Sequence, residues 1–185
     1  STASETSYDY SDFADNKIEI KDFFAQKGDA YLVYAYSDTC AHCADIKQTV
    51  LSYAASGKFK MYFMNDASST MKTVSSEDDC RDMTLNATEI SQLSIYGTPT
   101  MYVVETAVAD SSQSSGKKTV TEILIGESEI KTALANNCLP FSLDIRSLMV
   151  EYQRQNEVKS NENKKCRDKN LIGAGCVGCV GGLSK

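Results

Sequence analysis

A chain of 185 residues is long enough to bury one good core with some material left over at an end. Hydrophobic residues at 42% and charged residues at 24% exclude a disordered or fibrous class. Nineteen Lys and Arg against 25 Asp and Glu give a net charge of −6, which repels phosphate backbones and argues against nucleic acid as a partner, and no apolar run approaches the roughly eighteen residues of a membrane span.

Residues 1–12 are polar and acidic with no sustained apolar period, and read as a flexible tether to a membrane anchor or cleaved leader, or equally as a frayed terminus. From Ser11 to Gln26, Phe13, Ile18, Ile20, Phe23 and Phe24 approximate helical spacing, and Lys27-Gly28 supplies a stop. Ala30 to Ser37 is an apolar and aromatic run of strand length, the pattern of a central strand buried on both faces. Ile46, Val50, Leu51 and Ala54 then predict a helix from Cys40 to about Ser56, closed by Gly57, and Lys58 to Asn65 predicts a second strand. Strand, helix and strand in that order imply a parallel crossover.

Asp66 to Asp79 reads as an irregular insertion, followed by a helix carrying Leu85, Ile90, Leu93 and Ile95. Met101 to Glu105 is a third strand, residues 110–118 a polar hairpin loop, and Thr119 to Ile125 its paired strand. Gly126 ends that strand, and Ser128 can cap a helix to about Asn136. The expected architecture is an α/β domain over 13–138, with a central mixed sheet of about four strands flanked by helices. Residues 139–185 form a C-terminal extension: helical spacing to about Val158, then a Gly-rich and Cys-rich tail.

Seven cysteines are more than a reducing cytosol usually leaves unexplained and point to an extracytoplasmic, oxidising setting. Cys40 and Cys43 stand where the first strand hands over to a helix N-terminus. Unpaired N–H groups and the helix dipole there stabilise a thiolate, so Cys40 is the expected nucleophile. Cys43, one turn inward, is placed to resolve the mixed disulfide. His42, the chain's one histidine, can offer the thiolate a hydrogen bond or positive charge, which favours the reduced form and makes the disulfide more oxidising.

The strand before Cys40, the helix after it and the later segment Gly97-Thr98-Pro99-Thr100 together resemble the thioredoxin superfamily, from about Ile20 to Asn137. The resemblance implies a thioredoxin-like fold in which Pro99 faces the dithiol from a cis Thr98-Pro99 bond and Thr98 pairs with an extended substrate chain. It also implies a thiol:disulfide oxidoreductase with no cofactor beyond the redox-active Cys40–Cys43 disulfide, acting on protein thiols or disulfides and served by a redox partner protein. The Cys-x-His-Cys centre is similar to those of disulfide oxidases and isomerases. Two positions depart from the family: Thr39 replaces the tryptophan that usually precedes the first cysteine, and Tyr34 stands where a buried carboxylate is usual. Deprotonation of Cys43 then falls to water or another group, Asp38 and Asp45 being the nearest carboxylates in sequence.

Cys80 and Cys138 are candidates for a structural disulfide, with pairing open among the five cysteines outside the motif. Cys176 and Cys179 form a second Cys-x-x-Cys amid glycines, read first as a structural disulfide with Cys166 nearby, then as a secondary dithiol relaying electrons, and least as half of a zinc site. Asn86-Ala87-Thr88 matches a glycosylation acceptor. Two other functions fit the same sequence: a reductant of secreted thiols, and a non-enzymatic binding or accessory module that uses residues 139–185 for docking. Membrane contact is expected only through an N-terminal anchor.

Overall fold

A computed structural model describes residues 6–106 and 116–135, all within the unit Ser1–Phe141. Its elements in chain order are β1 (Ala30–Tyr36), α1 (Ala41–Ala55), β2 (Met61–Asn65), α2 (Ala67–Thr70), β3 (Lys72–Thr73), α3 (Glu77–Thr84), β4 (Ser94–Ile95), β5 (Thr100–Thr106), β6 (Lys118–Ile125) and α4 (Gly126–Ala135). Four strands make one mixed sheet in the order β2-β1-β5-β6, in which β1 and β2 run parallel and β5 is antiparallel to both β1 and β6. This is the α/β architecture that the pattern of apolar runs predicts. The polar loop at 110–115, the end of the last helix and everything from 136 onward, including Cys138, Cys166, Cys176 and Cys179, lie outside the described residues.

Strand β1 is central because its sequence, AYLVYAY, has no polar face to leave in water. Side chains alternate across the sheet. Tyr31, Val33 and Ala35 join Tyr102, Val104, Ile123 and the residues under α3, Cys80 among them, in one core cluster. Leu32, Tyr34 and Tyr36 take the opposite face. There Tyr36 stacks on Tyr10, whose ring lies under the ammonium of Lys47 on α1. The same helix packs against α4.

Helix α1 starts one residue after its cap, Cys40, and stops at Gly57, whose φ of +68° makes it the residue for a left-handed exit. Three expectations change. The helix predicted over 11–26 is two short 3-10 turns, Tyr10–Asn16 and Ile20–Asp22, because between them the chain extends along β2: Lys17 bridges to Phe63, and the Ile18 N–H donates to the Phe63 carbonyl. Residues 8–12, expected in the tether, are docked. The Tyr8 main chain exchanges two hydrogen bonds with the Gln48 side chain, and Tyr10 is in the core.

The third change is in the insertion. Its helix is α3, earlier than the apolar residues suggest, since the start signal is polar: Ser76 caps it by accepting the Asp79 N–H, and Glu77, Asp78 and Asp79 fill a first turn where negative charge is favoured. Leu85 and Ile90 are instead exposed, while Leu93 and Ile95 reach the core through a 3-10 turn and β4. Among the described residues no helix is long and apolar enough to cross a membrane.

Candidate functional site

The site lies where β1 ends and α1 begins. Ser37 accepts the Cys40 N–H on its carbonyl, which turns the chain so that Cys40 becomes the N-cap of α1. A cap residue normally offers a side-chain oxygen to the free N–H groups of the first turn. Here a sulfur takes that place: the Cys43 N–H donates to Cys40 Sγ at 3.1 Å. An anionic sulfur at this position is held by a main-chain donor and by the positive end of the helix.

Opposite α1, the bond between Thr98 and Pro99 is cis, as expected. The loop is anchored on both sides of the proline, by the Thr100 hydroxyl donating to the Gly97 carbonyl and the Gly126 N–H donating to the Pro99 carbonyl. The Thr98 carbonyl faces the first cysteine, and the Cys40 thiol donates to it at 3.3 Å. Two main-chain groups thus pull Cys40 in opposite directions. The Cys43 N–H donates to the sulfur, whereas the Thr98 carbonyl accepts from it.

Cys40 is partly exposed and Cys43 only 2% exposed, and both are free thiols. Burial pushes the Cys43 thiol up to about 11, and the neighbouring Cys40 adds to the rise, while Ser37 and Thr98 offset part of it. The two sulfurs therefore differ in access in the sense that a nucleophile and a resolving thiol require.

His42 points away from the buried thiol. Its ring is 72% exposed, and Nδ1 lies 3.2 Å from Oε2 of Glu127 in the first turn of α4. Glu127 also pairs with Lys131, and the hydrogen bonds from His42, the larger cause, and from Lys131 hold its carboxyl below the usual range. His42, Asp45 and Glu127 are the one group of donor side chains among the described residues close enough to share a metal ion, with ligand atoms within 4.8 Å of one another. Both Glu127 oxygens are already engaged by His42 and Lys131. His42 and Glu127, with Tyr96, Thr98, Pro99 and Ile125, line an open cleft.

Neither sequence-nominated carboxylate reaches Cys43. Asp38 accepts a hydrogen bond from the Asn65 side chain at 2.8 Å, and Asp45 is exposed. Cys80, a candidate for a structural disulfide, is a free, buried thiol that donates to the Ser94 carbonyl, and its candidate partner Cys138 lies outside the described residues. Asn86 of the acceptor triplet is exposed. Glu127 and Tyr10 were not legible as site residues, since each reaches the site through packing between distant segments, whereas Tyr96 lies in the same segment as Thr98 and Pro99. The acidic residue directly after Gly126 was the one available signal for Glu127. No protein-family model matches the chain, and no curated protein matches it.

Proposed function

We propose that this protein is a thioredoxin-like thiol:disulfide oxidoreductase that acts on protein substrates through a mixed disulfide at Cys40. The observation that carries the reading is the position of Cys40 Sγ, capped by the Cys43 N–H at 3.1 Å and facing the Thr98 carbonyl at 3.3 Å beside a cis proline. In the oxidising direction a substrate thiolate attacks Sγ of Cys40 in the Cys40–Cys43 disulfide. The bond between the cysteines breaks, Cys43 leaves as a thiolate and takes up a proton, and Cys40 carries the substrate. A second substrate thiolate then attacks the substrate sulfur, forms the new disulfide and releases Cys40. Two electrons reach the dithiol, and a partner disulfide must remove them.

Thr98 and Pro99, in the bend before β5, leave main chain that an extended substrate segment can join, with Thr98 offering its carbonyl. The cysteine count supports an extracytoplasmic setting. His42 supports an oxidase or isomerase. Glu127 favours a second reading, a reductant of secreted thiols, because its carboxylate 3.2 Å from His42 offsets the positive charge that would stabilise a thiolate at Cys40.

Cys40→Ser tests the function. Insulin reduction, reduced-ribonuclease oxidation and scrambled-ribonuclease rescue should all fall to background in the variant, and unchanged activity in all three would overturn the assignment. A dithiol potential near −120 mV supports the oxidase and one near −270 mV the reductant, each on the order of known enzymes of that type.

A further inference from the structure

Two tyrosines beneath the dithiol are arranged unlike the others in the core. Tyr31 and Tyr102 are buried and satisfied: their hydroxyls donate to the main-chain carbonyls of Phe23 and Ser94 at 2.7 and 2.9 Å. Tyr34 is 0% exposed and Tyr10 only 9%, yet among the described residues neither hydroxyl has a hydrogen-bond partner. The hydroxyls interact with each other but lack hydrogen-bond geometry. A buried hydroxyl without a partner is a cost that phenylalanine at the same position avoids. Tyrosine at both positions asks for a state of the protein in which the hydroxyl is used.

Packing fixes where these groups sit. Tyr34 lies parallel to Tyr36 with ring centroids 5.9 Å apart, and its edge meets Phe63 at 6.2 Å. Tyr10 stacks on the same Tyr36 at 3.9 Å, held by the Lys47 ammonium over its ring. The three rings form a ladder on the α1 side of β1, and it brings both hydroxyls within electrostatic reach of Cys43, Tyr34 being within reach of Cys40 as well. Ser37, Thr98 and Cys40 are the other groups acting on Cys43. Asp38, Asp9 and Lys47 act on the outer rings and are turned to other partners, Asp38 to Asn65 and Asp9 to Lys47. The one buried carboxylate among the described residues is Glu105, which pairs with Ala30 at the far end of β1.

We infer that the Tyr34 hydroxyl, backed by Tyr10, is the hydrogen-bond donor held for the Cys43 thiolate at the moment the Cys40 mixed disulfide is resolved. The inference rests on the proposed dithiol chemistry. In that step Cys43 gives its proton to solvent, and its thiolate attacks Sγ of Cys40. The bond from Cys40 to the substrate sulfur breaks, the Cys40–Cys43 bond forms, and the substrate leaves as a thiolate that is protonated by solvent. The two cysteines lose two electrons and the substrate disulfide gains them. Tyr34 transfers no proton. Burial keeps its phenol protonated far above the ordinary range, so it remains a donor throughout.

The test follows the reduced full-length chain after mixing with oxidised glutathione. Rapid acid quench, alkylation and peptide mapping measure the glutathione adduct at Cys40 over time. Cys43→Ser should trap the adduct. Tyr34→Phe should form it at the wild-type rate and lose it about tenfold more slowly, the loss expected for a hydrogen bond to a charged group, with an unchanged Cys40–Cys43 potential. Tyr10→Phe, which removes only the backing hydroxyl, should slow the loss a few-fold. Decay of the Tyr34→Phe adduct at the wild-type rate overturns the inference, and so does an equal slowing of adduct formation. If Tyr34→Phe does not fold, Tyr10→Phe decides, a wild-type decay rate overturning the role. No adduct at Cys40 in either wild type or Cys43→Ser removes the dithiol reading, and this inference with it.

Discussion

Replacing Cys43 by alanine should flatten the alkaline limb of the stability curve. The folded state holds this thiol up to about 11 because it is buried, whereas an unfolded cysteine ionises near 8.5–9. Below the unfolded value both states are protonated and the thiol's contribution is fully present. As pH rises from about 9 towards 11 the unfolded chain gives up the proton first, so stability falls through that window. The loss should be on the order of 1 kcal/mol by pH 10 and about 2–3 kcal/mol above pH 11. Tyr10, Tyr31 and Tyr34 are also held up by burial and steepen the same limb from about pH 10. The part of their share that burial causes cancels in the difference between wild type and Cys43→Ala, and the smaller part that Cys43 itself adds to Tyr10 and Tyr34 goes with the thiol. Urea unfolding in excess dithiothreitol at pH 7, 8, 9 and 10 measures that difference. Wild type should lose stability faster than the variant above pH 8.5, and a constant difference across the series would refute the burial argument.

Two further perturbations address the surroundings of the dithiol and the insertion. Glu127→Gln removes the carboxylate from His42 and should make the Cys40–Cys43 pair more oxidising, by a few-fold in its equilibrium constant with glutathione, because an exposed charge acts weakly through water. An unchanged or more reducing pair would show that His42 does not act on Cys40. Ser76→Ala removes the cap from the Asp79 N–H and should cost about 1 kcal/mol in thermal or urea unfolding; a loss below a few tenths would mean that the acidic first turn carries the start of α3 alone.

The central strand, the dithiol helix and the hairpin were legible because each is a single unbroken pattern: AYLVYAY has one reading, and Gly57 and Gly126 punctuate it where φ is positive. The insertion was not, because its strongest apolar residues serve different neighbours. Leu93 and Ile95 turn into the core, whereas Leu85 and Ile90 stay exposed, so their near-helical spacing carries no helix. The segment at 11–26 misleads similarly. Phe13 packs on Phe63 of β2 and Phe23 on Tyr102 of β5, and the extended step at Lys17 is dictated by pairing with Phe63, a partner no local pattern announces. At the site, Cys40 and Cys43 were legible from the boundary between strand and helix, whereas Thr98 and Pro99 were legible only through the resemblance that their segment carries. The salt bridge of His42 to Glu127 spans 85 residues and follows from how α1 packs on α4.

The order of events at the dithiol follows from the same packing. Cys40 is the sulfur a large substrate can touch, because Cys43 is 2% exposed behind it. With its proton held up to about 11, roughly one Cys43 in 10⁴ is a thiolate at pH 7. A free thiol in water, with a value near 8.5, is about three-hundredfold more ionised, so burial alone would make Cys43 a poor resolving group. Proximity offsets this, since the attacking sulfur is within one helical turn of its target. What remains is the cost of forming the anion in a pocket of tyrosine rings, and that cost depends on what the pocket offers the sulfur. Phenylalanine in place of Tyr34 and Tyr10 would offer only ring edges. Beside Ser37 and Thr98, which already favour the anion, the Tyr34 hydroxyl backed by Tyr10 would supply a further donor. The rate of resolution should therefore follow the hydroxyls of these rings, while the equilibrium potential follows the charges around Cys40.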